Sequence, residues 1–380
     1  MPGADLTRYR LPRPFSRPVL ALGGDQKSRF ALARNRELLL GPDFGDLRSP
    51  DNLLAYRQAL SAACRSENLT PRLVARDLHP AAAAFRLAPR LAAGFSPPAD
   101  VVGIQHHHAH LAAVLAEHGR KDEAIGIIWD GTGYGEDGAA WGGEFLLGGV
   151  ASSRRAAHLE YFPLPGGEKA VLEPWRMAFA YLERCRRLDL FNPDRRPGPD
   201  RRERDLLSAM IGRGINSPPT SSMGRLFEGV SALLGFGWVN RRPGAAAAAL
   251  EAAAAPGSFP PYPFRLNRSR KPYVIGLSPV FSGLAADLDA GRPREDIAAR
   301  FHSTVVAIGV GTAKFLNRET GFRRVVLSGG VFHNRRIREG LTAALETAGL
   351  QPLLPERLEP GDGGLALGQA AAAAAGAGRG

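Results

Sequence analysis

Short apolar runs that end in glycine, aspartate or arginine recur along the first hundred residues, and this pattern is typical of β-strands. The runs VLALGG (19–24) and RFALAR (29–34) predict the two strands of a hairpin, and RLVARD (72–77) and DVVGIQ (100–105) predict strands that flank a helix. Between the two pairs, DNLLAYRQALSAACR (51–65) has the apolar spacing of a helix, with Asp51 as its N-cap. This part of the chain is therefore predicted to alternate strands and helices.

The same alternation returns later in the chain around a helical centre. AIGIIWDGTGYG (124–135) predicts a buried strand that runs into a glycine-rich turn, and GEFLLGGV (143–150) predicts the strand after it. In the centre, DRRPGPDRRERD (194–205) has the composition of an exposed loop, whereas GAAAAALEAAAA (244–255) is a strong helix former. The final third predicts strands at 323–330 and 351–355, a helix near 334–348 and the turn EPGDGG. Such alternation at both ends predicts an α/β protein of two related lobes.

These elements divide the chain into four parts. The predicted parts are an irregular, Pro/Arg-rich arm (1–18), a first lobe (19–150), a second lobe with helical insertions (151–370) and a frayed, flexible tail (371–380). At 380 residues the chain exceeds the usual size of a single hydrophobic core, which agrees with two lobes.

Composition and charge narrow the class of protein. The 44% hydrophobic and 23% charged content is typical of a soluble globular protein, and no apolar run has the length of a membrane span or the character of a signal-peptide core. The two cysteines lie far apart, which argues against a disulfide framework or a cysteine-ligated zinc site, so a reducing cytoplasm is the expected compartment. The net charge of +12 indicates either an anionic partner or only an arginine-rich composition, and both interpretations stay open.

The segment QHHHAH (105–110) places four histidines immediately after a predicted strand. If this segment is helical, His106 and His110 lie one turn apart on one face, as two metal ligands on a helix do. His107 and His108 then point elsewhere, toward solvent or neighbouring polar groups. A metal-binding pair and a polar helix start with hydrogen-bonded histidines are both open at this point. Two imidazoles are too few for a stable metal site, so further ligands must come from elsewhere in the chain.

Two aspartates are placed to complete such a set. Asp130 closes the apolar run AIGIIWD, and Asp362 lies in the strand-to-helix turn GDGG. Either one alone is more simply explained as a turn or cap residue. Their common position after strands would bring both to the carboxyl edge of a sheet, where α/β proteins keep their sites. A His₂Asp₂ set suits Fe(II), Zn(II) or Mn(II) and leaves an open position for a substrate oxygen.

Glycine-rich segments at strand ends form a second theme. They are GG (23–24), DGTGYGEDG (130–138), MGRLFEG (223–229), LSGGVFHN (327–334) and GDGGLALG (361–368). None of them is a P-loop or a dinucleotide-binding fingerprint, and each by itself is explained as a tight turn. Backbone N–H groups in such turns can nevertheless approach phosphates. Five of them, spread over two lobes, predict a nucleotide cleft between the lobes.

Taken together, these blocks resemble the Kae1-like carbamoyltransferase domain of the hydrogenase-maturation factor HypF, a member of the two-lobed actin/sugar-kinase/Hsp70 (ASKHA) superfamily. The resemblance runs from Val19 to Gln369, and the blocks follow the family's order: LALGGDQKS, FGDL, ARDLHP, IQHHHAHLAAVLAEH, WDGTGYGEDGAAWGGEFL, LPGGEKAVLEPWRMA, TSSMGRLFEGVSALLG, LSGGVFHN and DGGLALGQA. The most specific are HHHAH, DGTGYGEDG and EPWRMA. The resemblance implies an α/β fold of two lobes with a nucleotide cleft between them.

The resemblance also implies a carbamoyltransferase of [NiFe]-hydrogenase maturation. In the family, carbamoyl-adenylate made from carbamoyl phosphate and ATP binds in the cleft, and its carbamoyl group passes to the C-terminal cysteine of the partner HypE for cyanide-ligand synthesis. The implied ligands of Fe(II) or Zn(II) are His106, His110, Asp130 and Asp362, of which the first three are also the implied catalytic groups. The implied nucleotide-binding residues are Lys27, Gly131, Gly133, Gly224, Glu228, Gly329, Gly330 and Asn334. Arg176 and His302 match family positions too, where core or inter-lobe roles fit as well as catalysis.

The chain departs from the family pattern in two places. The acylphosphatase-like, zinc-binding and carbamoyl-adenylate-forming domains of the full-length family do not fit into residues 1–18. Either a separate adenylate-forming protein is a partner, or this short form makes or uses something different. In addition, PGAAAAALE (243–251) replaces the family's Glu-Gly-Gln-Ala-Ala segment. Two alternatives therefore stay open: a metal-dependent O-carbamoyltransferase acting on a small-molecule hydroxyl, and a non-enzymatic nucleotide-binding maturation scaffold. A membrane is not an expected partner, because no apolar run has the length of a membrane span. A nucleic acid is not expected either, because HHHAH and DGTGYGEDG resemble the carbamoyl branch of the superfamily.

Overall fold

The computed structural model describes residues 5–191 and 200–376, and within them the strands form two sheets. The first sheet has the order β1-β4-β3-β2-β5-β6, in which β2, β5 and β6 are parallel and the other pairs are antiparallel. Its strands are Thr7–Arg10 (β1), Val19–Ala21 (β2), Ala31–Arg34 (β3), Glu37–Leu40 (β4), Leu73–Asp77 (β5) and Asp100–Ile104 (β6). The predicted hairpin of β2 and β3 is confirmed, with Leu20 opposite Leu32.

Helices cover both faces of the first sheet, because strands buried on both sides need apolar partners on both. Helices α1 (Pro50–Ser66) and α2 (Ala83–Ala93) pack on one face. Helix α3 (His106–Glu117) and the last helix, α12 (Leu365–Gly376), pack on the other. The C-terminal helix therefore belongs to the core of the first lobe.

The second sheet has nine strands, seven of them in the order β12-β13-β9-β8-β7-β14-β15. They are Ala124–Tyr134 (β7), Ala140–Gly148 (β8), Ser153–Leu159 (β9), Phe162–Pro163 (β10), Pro219–Thr220 (β11), Arg265–Asn267 (β12), Tyr273–Gly276 (β13), Arg324–Ser328 (β14) and Gln351–Leu353 (β15). The helices of this lobe are Glu168–Leu172 (α4), Trp175–Arg184 (α5), Arg201–Arg213 (α6), Met223–Leu234 (α7), Ala245–Ala253 (α8), Ser278–Asp289 (α9), Arg294–Thr320 (α10) and Arg335–Thr347 (α11).

Helix α3 lies between the two sheets and is buried all round. One side packs with α12 on the first sheet, and the other places Leu111, Val114 and Leu115 against β7, β8 and β14 of the second. The contact with α12 is close: a Cβ added to Gly368 would lie 1.7 Å from the carbonyl oxygen of Ala109. Only small residues allow two helix backbones to approach in this way, and the approach fixes the position of α3 between the lobes.

The structure corrects the predicted boundaries of the parts. The arm (1–18) is not wholly irregular, because β1 pairs along its length with β4. The first lobe does not extend to residue 150, because β7 pairs with β14 and therefore belongs to the second sheet. The tail (371–380) is helical and largely buried as far as Gly376, since its alanines are small enough to pack against α3. Residues 1–4 and 377–380 lie outside the described residues.

Three local predictions are also corrected. The N-cap of α1 is Ser49, because Pro50 occupies the first helical turn and Asp51 follows inside it. The glycine-rich segment after Asp130 is not a turn, since β7 continues to Tyr134 through an irregularity between Trp129 and Gly133. Of the predicted loop 194–205, residues 194–199 lie outside the described residues. The rest begins α6, where Asp200 and Glu203 form a capping box.

No helix among the described residues is long and apolar enough to cross a membrane.

Candidate metal centre

The two histidines of interest lie in the first turns of α3, next to the end of β6. Gln105 caps the helix, since its side-chain oxygen accepts the N–H of His108 at 2.9 Å. The cap starts the helix at His106, so His106 and His110 lie one turn apart, with ring centroids separated by 5.0 Å. Both are buried, and the side chain of His110 is 1% exposed. The predicted helix thus sets both imidazoles on the face between the lobes.

Two carboxylates meet these imidazoles from opposite directions. Asp130 in β7 places Oδ2 3.2 Å from Nε2 of His106 and 3.7 Å from Nε2 of His110. Asp362, in a 3₁₀ turn before α12, places Oδ1 3.6 Å and 3.5 Å from the same two nitrogens. One donor atom from each of the four residues lies within 4.8 Å of the others. The structure therefore brings together all four residues of the predicted His₂Asp₂ set.

The donor atoms of this cluster suit a metal ion. Nε2 of His110 is buried and has no hydrogen-bond partner among the described residues, although a buried polar nitrogen is normally paired. The Nδ1 atom of the same ring faces the hydroxyl of Ser328 at 3.5 Å. Two imidazole nitrogens and two carboxylate oxygens are the donors that Fe(II), Zn(II) and Mn(II) accept. The side chain of Asp362 is 23% exposed, so the cluster opens to solvent on that side.

Asp77 is a member of the site that the sequence analysis did not identify. Its Oδ2 lies 2.7 Å from Nδ1 of His106, and its Oδ1 accepts the N–H of His79. A carboxylate behind a histidine fixes the ring and presents the other nitrogen to a metal. The available signal was its place at the end of β5, the same strand-end position that singled out Asp130.

The electrostatics of the cluster follow from charges packed together out of water. Burial opposes a charge on His106, but Asp77, Asp130 and Asp362 outweigh it and hold the pKa of His106 well above its ordinary value. Burial likewise opposes ionisation of Asp130, and the two imidazoles reverse this and hold the pKa of Asp130 well below its ordinary value. Each charge is thus favoured by its neighbours.

His107 and His108 are buried. Of the two predicted alternatives, solvent and neighbouring polar groups, solvent is therefore wrong. His108 faces the carbonyl of Gly149 through Nε2, at 3.1 Å. His107 lies against Trp141, and burial followed by the proximity of His106 lowers the pKa of His107 to about 3. A Cβ on Gly133 would lie 2.5 Å from the ring of His107 and 2.8 Å from that of His106. The predicted site residue Gly133 therefore makes room for the two rings.

Helix α7 begins against the same end of β7. The hydroxyl of its N-cap Ser222 donates to the carbonyl oxygens of Asp130 and Gly131, at 3.1 Å and 2.5 Å. A Cβ on Gly224 would lie 2.8 Å from Cα of Gly131, so the predicted residues Gly131 and Gly224 are in contact. The predicted residue Glu228 is further along α7; its side chain is 1% exposed and ion-paired with Arg225. Its carboxylate therefore lies beneath the surface of the cleft.

The segment after β14 contributes backbone groups to the site. The N–H of Gly330 donates to Oδ1 of Asp130 at 2.8 Å, which orients the carboxylate. Gly329 has φ of +103°, and a Cβ there would meet the carbonyl oxygen of Trp129 at 2.2 Å. Asn334 caps α11 through its side-chain oxygen, and its amide nitrogen lies 3.1 Å from Nε2 of His302. Both ends of the Asn334 amide are therefore engaged within the fold.

The remaining predicted residues, Lys27 and Arg176, make their contacts with other residues than the four metal donors. Lys27 is exposed on the loop after β2, with Nζ 3.8 Å from a carboxylate oxygen of Glu359 near Asp362. Arg176 donates to Glu173 at 2.5 Å and stacks on Trp175, which are contacts of the second-lobe core.

Comparison with known proteins gives the class and the family. Residues 15–117 match a model described as the HypF Kae1-like domain, and residues 126–369 match one described as "Carbamoyltransferase, Kae1-like Domain, second subdomain". The two matches divide where the sheets divide, between α3 and β7. The predicted α/β fold of two lobes is confirmed.

The chain belongs to the HypF carbamoyltransferase family. It is 37% identical over 379 residues to carbamoyltransferase HypF2 of Cupriavidus necator, covering 92% of this chain and 46% of that protein. It is 39% identical to a carbamoyltransferase HypF homolog of the same organism, covering 94% and 91%. A crystal structure of full-length HypF in a phosphate- and nucleotide-bound form is 32% identical with a TM-score of 0.90, covering 97% of this chain and 57% of that one. The chain thus spans about half the length of several relatives and nearly all of one.

Proposed function

We propose that this chain is a carbamoyltransferase of [NiFe]-hydrogenase maturation. It would transfer a carbamoyl group from carbamoyl-adenylate to the C-terminal cysteine of a HypE-type acceptor protein, as a step toward the cyanide ligands. The observation that carries the proposal is the buried His₂Asp₂ cluster with its unpartnered His110 nitrogen, found in a chain of the HypF family. A scaffold would have no use for four such donors held at one point.

The reaction is an acyl transfer between a phosphate oxygen and a sulfur. The acceptor sulfur forms a bond to the carbamoyl carbon, and the bond between that carbon and the phosphate oxygen breaks. The electron pair of the broken bond stays with the phosphate, which leaves as AMP, and the thiol proton passes to solvent. The nucleotide part of the proposal is supported by the relative whose structure holds phosphate and nucleotide.

His106, His110, Asp130 and Asp362 would hold Fe(II) or Zn(II), which when bound supplies a positive charge that polarises a carbamoyl or phosphate oxygen. The chain itself keeps these donors in place. Asp77 fixes the ring of His106, and the N–H of Gly330 fixes the carboxylate of Asp130. Preorganisation of this kind stabilises developing charge without rearrangement at the moment of reaction.

The proposal is tested by intact-mass spectrometry of a HypE-type acceptor. The acceptor is incubated with this chain, carbamoyl phosphate, ATP and Fe(II) or Zn(II), with and without a separate carbamoyl-adenylate-forming protein. We expect a mass increase of one carbamoyl group, which is absent when the terminal cysteine of the acceptor is changed to serine. An adduct only in the presence of the second protein would define this chain as the transferring half of a two-protein system. No adduct in either reaction would overturn the proposal and favour a small-molecule hydroxyl as acceptor.

A further inference from the structure

Arg225 is a buried cation that the metal cluster does not use. It lies in the first turn of α7, where its backbone N–H donates to the cap hydroxyl of Ser222 at 3.0 Å. Its side chain is 8% exposed, and its Nη1 contacts Oε2 of Glu228 one turn further along the helix. Nε and Nη1 nevertheless make no hydrogen bond to any of the described residues. A guanidinium carries five N–H donors, and one carboxylate does not satisfy them.

One end of this guanidinium lies beside β7. Nη2 lies 3.3 Å from the position that a Cβ on Gly131 would occupy, so it is directly beside the residue that follows Asp130. Gly131 is half-buried and Thr132 is exposed, which means that solvent reaches this point. Glu228 lies on the other side of the guanidinium and is fully buried. The ion pair therefore restrains the guanidinium, with Nη2 beside Gly131.

The surroundings of Nη2 favour a negatively charged ligand. The N-terminus of a 12-residue helix contributes a partial positive charge beside the guanidinium. Arginine in such a setting binds phosphate or carboxylate oxygens through charge-assisted hydrogen bonds. Asp130, one of the four metal donors, directly precedes Gly131 in β7, so an anion bound by Nη2 would lie beside the strand end that carries this carboxylate.

We propose that Arg225 binds the phosphate of the nucleotide through Nη2, and that Glu228 is the positioning residue that orients it. This inference rests on the proposed carbamoyl-adenylate chemistry. The ligand is the phosphodiester-like phosphate of carbamoyl-adenylate and the phosphomonoester of its product, AMP. Because the phosphate gains negative charge when the carbamoyl group leaves, a fixed cation at this point stabilises the departing group. The role differs from ribose binding by Glu228, which the family resemblance implies.

The test compares two probes, AMP and adenosine, which differ only in the phosphate. Calorimetric titrations use the full chain loaded with Zn(II). For Arg225→Met we expect AMP affinity to fall roughly 10- to 100-fold, the range for loss of a charged hydrogen bond, with adenosine affinity unchanged. Arg225→Lys, which keeps the charge but loses the planar donors, should show a smaller fall. The ratio of the two affinities does not depend on the fraction of folded protein.

Two further variants test whether a change in the affinity ratio comes only from a disturbed fold. Arg225→Met leaves Glu228 buried without its partner, so the pair Arg225→Met/Glu228→Gln, which leaves no buried charge, is measured as well and should show the same change in ratio. Arg300→Ala removes an arginine that is paired with Asp287 elsewhere in the second lobe, and should leave the ratio unchanged. A wild-type ratio in the Arg225 variants would overturn this inference alone. Failure of the unaltered chain to bind either probe would overturn the proposed function with it.

Discussion

Two neighbouring clusters of polar side chains, one with a member on β7 and the other with a member on β8, differ in how their polar atoms are partnered. The first is the metal cluster, His106, His110, Asp130 and Asp362. The second, the Arg155 network, consists of Arg155, Glu144, Asp137, Tyr161 and Ser221. The rings of His107 and Trp141, 5.9 Å apart, lie between them.

The Arg155 network is closed on itself. Arg155 donates through Nε to Glu144 at 2.5 Å, through Nη1 to Tyr161 at 2.6 Å and through Nη2 to Ser221 at 3.2 Å. The second oxygen of Glu144 accepts from the hydroxyl of Ser221 and from two backbone N–H groups of β8. The charged groups thus have partners of opposite charge and suitable geometry. Such a network stabilises one arrangement of the chain.

The metal cluster is open by contrast. Its closest contacts bring two imidazoles and two carboxylates together at 3.2–3.7 Å, and Nε2 of His110 makes no hydrogen bond to any of the described residues. One ligand atom from each of the four residues lies within 4.8 Å of the others. The comparison teaches that burial and charge alone do not mark a binding site. The metal cluster differs in that metal-binding atoms of four residues come together at one place, and one of these atoms makes no hydrogen bond to the described residues.

The largest effect is expected from His110→Ala, which removes one of the convergent donors. With three donors left, metal affinity should fall by more than the roughly 10- to 100-fold that loss of an outer partner costs. The measurement is metal content per chain after dialysis, by mass spectrometry, together with circular dichroism to check the fold. His108→Gln is the matched control, since His108 is buried in the same helix turn but faces Gly149. Equal metal content in the two variants would show that the open cluster is not the metal site.

The next effect is expected from Arg155→Ala, which leaves Glu144 fully buried without its cation. Removing one partner of a buried ion pair typically lowers the free energy of unfolding by about 3–5 kcal/mol. Urea unfolding measures the change, and metal affinity of the folded variant should stay that of the parent. The pair Arg155→Met/Glu144→Gln should recover most of the loss, because it leaves no buried charge. A large loss of metal affinity in the folded variant would mean that the two clusters are not separate.

The sequence predicts most of the open cluster because its signals are local. Histidines at i and i+4 share a helix face, and Asp130 and Asp362 both follow strands, so these four positions can be identified without a structure. Asp77 carries the same strand-end signal, but one aspartate after a short strand is common, and its contact with His106 depends on β5 and β6 being neighbours. No local pattern in the sequence singles out Arg225, because only the packing of α7 against β7 brings its side chain beside Gly131.

The lobe boundary and the last helix are not predicted from the sequence, because both depend on contacts between distant parts of the chain. Pairing of β7 with β14 joins residues about 200 positions apart in the chain, for example Ile125 with Val325, and no local pattern indicates such a partner. The alanine-rich sequence of α12 shows no amphipathic stripe, so it resembles a frayed tail. Its alanines are buried because small side chains allow the close contact with α3. Local patterns thus predict elements and their chemistry better than they predict partners.

The smallest effect is expected at His302, a buried histidine that is closed in the way the Arg155 network is. Nδ1 faces the carbonyl of Ala298 at 2.7 Å, and Nε2 faces the amide nitrogen of Asn334, so the neutral ring with its proton on Nδ1 satisfies both contacts. Protonation of Nε2 would break the second contact. Burial, slightly offset by the Ala298 carbonyl, lowers the pKa of His302 to about 4.

Because this folded-state pKa lies below the ordinary value, the unfolded chain takes up a proton at this residue first as the pH falls. The stability that His302 contributes is therefore present above pH of about 6.5 and is lost as the pH falls toward about 4. Between pH 7.5 and pH 5, the parent chain should lose about 2 kcal/mol more unfolding free energy than His302→Gln, which has no proton to gain. Urea unfolding of both chains at the two pH values measures this difference. Parallel losses would show that His302 is not held neutral, and that two engaged nitrogens are not enough to define a closed site.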